Sequence, residues 1–389
     1  MNFIKNHFVK LLSYIALALF IRFYIIEQFI EHPQAVWIQV IAMLIVFGFG
    51  IAYIFRGTAN TIEETTDVLK DRTKLAGGFL QALGTAFPDM IIGVMAAVLS
   101  LQVAATDHVR AINLAIIAAA ATFGSNIYNI IHGMWCIHRQ NIANTKQKGI
   151  LMFPPFKWGG TVTPFSQHKT TPSVREMDGA IQVLSALTLL TSFVAISMVL
   201  FGRVSVGENP IGGDLYQLIR PVGFVLFVLC VGVLYYFRKS HKPETLDIEI
   251  EEEISYYSQQ RTWRIWLDLI LSGVAILLTA ESMVKCMEIF SQLTHIPFVI
   301  TGVMAGIIGC LGEMMVVHNF SINPKGRIGD GIVGVSMDNI VTTLGAAIVA
   351  IMGGIFLGSN SLILIFVIIL TANTLLIGQI STLKNSLKK

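Results

Sequence analysis

Apolar runs close to 20 residues long recur from one end of this chain to the other, and no feature constrains its fold more. A helix of that length rises roughly 30 Å, the thickness of a bilayer's hydrocarbon core. Only 13% of residues are charged and 54% are hydrophobic, whereas charged residues make up about a quarter of a globular chain. The chain therefore reads as an all-α polytopic membrane protein, with the lipid bilayer as its surroundings. Its net charge of +3 gives no sign of a nucleic-acid partner.

Ten spans are expected, at approximately 11–30, 36–55, 75–101, 110–136, 178–202, 217–237, 263–285, 297–320, 328–352 and 357–379. Sorting the positive charges by alternate connections gives a lopsided result. The termini and the even-numbered loops hold 22 of the 27 lysines and arginines. The odd-numbered loops hold Arg110, Arg203, Arg220 and Lys285, and Arg22 lies within the first span. The positive-inside rule then places both termini in the cytoplasm of a multi-pass cell-membrane protein. No small-residue cleavage site follows the first span, so it reads as a retained helix.

Two cytoplasmic loops are long. Residues 138–177 are basic, a composition that fixes topology or touches anionic lipid head groups. Residues 238–262 contain the acidic run Asp247 to Glu253, read as a solvated linker rather than a calcium loop, whose turn glycine it lacks. The chain divides into two five-helix units, 1–202 and 203–389. An odd number of spans per unit makes the two copies cross in opposite directions, which is an inverted-topology repeat.

Each unit carries a carboxylate inside its third span: Asp89 in Gly84-Thr85-Ala86-Phe87-Pro88-Asp89, and Glu313 in Gly309-Cys310-Leu311-Gly312-Glu313. Ionisable groups at such depth are costly and mark ion or substrate paths. Pro88 has no N–H, which frees the carbonyl of Gly84. Thr85 and Asp89 are four apart on one helix face. Hydroxyl, carboxylate and carbonyl oxygens together suit Ca2+ or Na+. A polar cluster follows in each next span: Ser125, Asn126 and Asn129 in the first unit, Ser336, Asp338 and Asn339 in the second. Whether Asp338 or Asn339 faces the site is left open by the sequence.

These motifs resemble the α-repeats of the cation/calcium exchanger superfamily, the sodium/calcium exchanger-like membrane proteins. The family pattern is Gly-Thr-Ser-x-Pro-Glu followed by Gly-Ser-Asn-x-x-Asn or Asp. The likeness covers roughly half the chain; the first repeat is a specific match and the second is degenerate. It implies Ca2+ ligation at Asp89, Thr85, Ser125 and Asn129, and at Glu313 and Asn339 with Asp338 and Ser336 beside them. The implied activity is secondary active antiport of Ca2+ against Na+ or H+ by alternating access, with no organic cofactor and no enzymatic step. Family hydroxyls are missing at Ala86, Gly309, Cys310 and Val335, which bears on Na+ more than on Ca2+. The layout also differs, with an extra helix at the N-terminus and one fewer at the C-terminus.

Rival readings are an ion channel or non-transporting relative, and a membrane-embedded carboxylate enzyme. No His-Glu-x-x-His, Gly-x-Ser-x-Gly or Cys-x-x-Cys motif supports the enzyme. His132, His138 and His318 are candidate proton shuttles, although a structural role is the simpler reading. Cys136, Cys230, Cys286 and Cys310 read as free thiols packed as small hydrophobes. Glu281 and Lys285, four apart, read as a helical ion pair.

Overall fold

The computed structural model describes residues 7–32, 34–73, 79–167, 169–204, 213–240, 256–324, 326 and 328–387. The acidic run 247–253 lies outside them. Twelve α-helices run through the described residues: α1 (His7–Phe20), α2 (Val36–Ile45), α3 (Arg56–Thr73), α4 (Phe79–Val103), α5 (His108–Lys146), α6 (Val174–Phe201), α7 (Arg220–Ser240), α8 (Thr262–Thr294), α9 (Phe298–Gly309), α10 (Leu311–Ile322), α11 (Ile328–Met352) and α12 (Ser359–Leu387). α1 and α2 continue into wide π-helical turns, Ile21–Glu31 and Val46–Phe55, and the second of these runs directly into α3. Among the described residues nine helices are long and apolar enough to span a membrane. The pair α9–α10, bent by 56°, makes a tenth if counted as one span.

α5 is the centre. It packs against α4, α9, α11 and α12, and Ala118, Ala119, Ala120 and Ala121 are all buried. Lipid offers no hydrophobic gain for bringing helices together, so small residues that permit close contact hold a membrane bundle. Gly124, Gly302 and Gly306 serve this at the α5–α9 crossing. A Cβ on Gly306 would stand 2.2 Å from the Ala121 carbonyl oxygen, and one on Gly124 would stand 2.7 Å from Val303 Cα. Outward, α6, α7 and α12 expose Leu189, Leu200, Phe224, Ile363 and Leu364 to more than half their area. Water would disfavour that surface, whereas bilayer hydrocarbon suits it.

The N-terminal helices pack on α8 around a core of their own (Tyr14, Ile26, Ile30, Met43, Ala275 and Cys286). Charges inside this packing pair across helices. Arg22 Nε lies 2.7 Å from Glu281, and Lys285 Nζ lies 2.5 Å from Glu31. The Glu281–Lys285 pair expected from helical spacing exists at 3.6 Å, as the weaker link of this set.

Two small β units occupy opposite ends of the bundle. At one end, β3 (Arg203–Val204), β4 (Leu215–Gln217) and β5 (Phe356–Gly358) join the α6–α7 and α11–α12 connections, with Leu215 opposite Gly358 and Gln217 opposite Phe356. At the other, β1 (Ile150–Phe153) and β2 (Phe156–Val162) form an antiparallel hairpin. The stretch 138–177 is therefore not simply a basic loop. α5 extends to Lys146, and Ile150, Leu151, Met152 and Phe153 form a strand whose inner residues bury against α5 and α10.

Candidate cation site

The α9–α10 pair breaks at Cys310, between Gly309 and Leu311. Glycine on both sides of the break tolerates the backbone departure. Glu313 thereby falls in the first turn of α10, where the unpaired N–H groups and helix dipole favour a carboxylate by about 0.3–1 kcal/mol. It is 8% exposed. In the first unit Pro88 sits inside α4 without ending it.

Asn129 of α5 reaches both α10 and α11. Its Nδ2 donates to Glu313 Oε2 at 2.6 Å and to Asn339 Oδ1 of α11 at 3.4 Å. Asn339 thus faces this cluster. Asp338 is also buried, at 6% exposure, but its position is turned by roughly 100° about the helix axis. One turn away on α5, Asn126 Nδ2 donates to Thr343 Oγ1 at 3.3 Å. The Oδ1 atoms of Asn126 and Asn129 are buried with no hydrogen-bond donor. Two orphaned amide oxygens in a bundle interior are costly, and Asn339 Nδ2 in the same cluster is likewise without a partner; a cation or a water would satisfy the oxygens.

Ser125 and Ser336 are buried as well. Each spends its proton on its own helix, Ser125 on the Thr122 carbonyl at 3.0 Å and Ser336 on that of Ile332 at 2.7 Å. Their oxygens keep lone pairs for an acceptor role. α4 is held against α5 at Gly93, where a Cβ would meet Thr122 Oγ1 at 2.3 Å. Position 89 is one turn from Gly93 on the same face of α4. The Thr85 and Asp89 side chains lie outside the described part, so Gly84, Thr85 and Asp89 are placed only as backbone on α4.

Three features escaped sequence reasoning. His132 and His318 stack with ring centroids 5.9 Å apart, on the hairpin side of the Asn129–Glu313 contact. Arg110 clasps Glu288 of α8 through two hydrogen bonds, 2.6 and 2.9 Å. Lys169 is 4% exposed and donates to Gln140 Oε1 at 2.7 Å and to the Ser321 carbonyl. Burial lowers its ammonium to about 8. His138 is half-buried beside Trp135, and the four cysteines are free and buried.

No family model matches the sequence, and no curated protein matches it. Solved structures do. Native YfkE aligns over 98% of this chain and 96% of its own, with a TM-score of 0.56 at 15% identity. The H+/Ca2+ exchanger CAX aligns over 98% and 99%, with a TM-score of 0.52 at 12% identity. This chain shares its fold with these two structures. Within that fold, the polar groups described above sit on the helices that the sequence motifs singled out, α4, α5, α10 and α11.

Proposed function

We propose that this chain is a secondary active antiporter that carries Ca2+ across a membrane against Na+ or H+, by alternating access. The observation that carries the reading is the meeting of Glu313, Asn129 and Asn339 at a broken span, beside amide oxygens without donors. Glu313, Asn129 and Asn339 supply oxygen ligands, with Ser125, Asn126, Ser336 and Asp338 in reserve and Asp89 as the carboxylate of the opposite unit. Hard oxygens in this number suit Ca2+. The two units bind between them and rock about the site, as inverted-repeat transporters do. The charge asymmetry of the loops supports a cytoplasmic hairpin end.

The test is 45Ca2+ uptake into proteoliposomes under imposed Na+ or H+ gradients. Uptake driven by one gradient and abolished by Asp89→Ala and by Glu313→Ala is the expected result. Flux independent of any counter-gradient would mark a channel. Absence of flux, or flux unchanged in both variants, would refute the reading.

A further inference from the structure

The β1–β2 hairpin is tied to both helices that form the Asn129–Glu313 contact. On the α5 side, Trp135 Nε1 donates to the Met152 carbonyl at 3.0 Å and Arg139 Nε to that of Leu151 at 3.0 Å. On the α10 side, His318 stacks on Phe153 of β1. Gly160 presses so closely on Ile322 that a Cβ would stand 2.9 Å from its Cδ1. Gly160 has φ +78°, so the close approach and the backbone both call for glycine. The strap after β2 continues the attachment. Lys169 reaches the last turn of α10 at Ser321, and Thr170 N–H donates to the Pro324 carbonyl at 2.9 Å.

Phe153, at the tip of β1, completes a chain of rings. Its centroid lies 5.6 Å from His318, 6.3 Å from His132 and 6.5 Å from Trp135, and the two imidazoles lie 5.9 Å from one another. His132 is three residues beyond Asn129 on α5, and His318 five beyond Glu313 on α10. At 1.5 Å per residue, the rings lie roughly 4.5–7.5 Å from the contact, toward the hairpin end.

We propose that this hairpin is the inner gate of the protein: Phe153, seated on His132 and His318, stoppers the passage from the cation cluster to the hairpin side. Release of a cation to that side requires the seam between Phe153 and α10 to part. The proposal rests on the antiport reading for its purpose, but the closure itself is testable without transport.

Asn129→Cys is introduced into protein whose four native cysteines are replaced by serine or alanine, and its rate of modification is followed in inside-out vesicles with a small charged thiol reagent. With the native hairpin the thiol is protected. Phe153→Ala raises the rate at least tenfold, while Phe153→Leu, which keeps the bulk, stays within about threefold. Equal rates in all three overturn the gate. A second measurement uses Phe153→Cys with His318→Cys, bridged by a short bifunctional thiol reagent. Bridging abolishes 45Ca2+ uptake and reduction restores it. Undiminished uptake after complete bridging overturns the gate as well. Protection at position 129 without uptake in any protein, bridged or not, leaves the gate standing and removes the antiport reading.

Discussion

Asn129→Asp puts a second carboxylate where an amide now donates to Glu313 at 2.6 Å. The substitution is isosteric, so the new oxygen inherits that separation, the distance of a proton-sharing O–H···O bond. Two full charges so placed repel by about 6 kcal/mol at an effective dielectric near 20. That exceeds four decades in proton affinity, and the pair keeps one proton throughout the neutral range. A cation entering between the two carboxylates must expel it. Equilibrium 45Ca2+ binding to purified protein between pH 6 and pH 8 is the assay. The variant's affinity should rise with pH one decade per unit more steeply than the wild type's. Adding Glu313→Gln returns the pair to one charge and should restore the original slope. If Asn129→Asp shows the parent slope, Asn129 and Glu313 do not share a cation, and the central claim fails.

Two stability predictions follow from packing, both read by equilibrium unfolding in mixed detergent micelles. Arg110→Met strands Glu288, only 2% exposed, and should cost about 3–5 kcal/mol. Glu288→Gln should cost about 1 kcal/mol, because the partly exposed Arg110 retains access to solvent; equal losses would contradict the asymmetry. Gly306→Ala forces a methyl to 2.2 Å from Ala121 oxygen and should cost about 1–3 kcal/mol while weakening Ca2+ binding. Gly334→Ala meets nothing within 4 Å and should be neutral or slightly stabilising.

The spans were legible because lipid imposes one length and one apolar signature on every helix that crosses it. Gly309 and Gly312 permit a break at Cys310 but do not require one. What the sequence withheld was non-local. Asp338 and Asn339 differ by one position on a helix, and only the placement of α5 decides which side chain meets Asn129. The hairpin hid in a basic stretch, since four apolar residues at 150–153 signal a strand weakly until α5 and α10 are there to bury them. Glu281 offered an obvious neighbour in Lys285, yet its closest cation is Arg22, which no spacing rule connects to it. The aromatic seat of Phe153 draws its members from three separate segments, and no periodicity links them.

The pairing of Arg22 with Glu281 also bears on how the molecule is made. A ribosome delivers Arg22 to the membrane long before it delivers α8, and until then an arginine within the first span has no counter-charge. That helix must wait at the bilayer surface, or span with its guanidinium reaching for water. Assembly at this edge of the protein therefore runs backwards relative to synthesis: the earlier segment finds its place only once the later one has arrived.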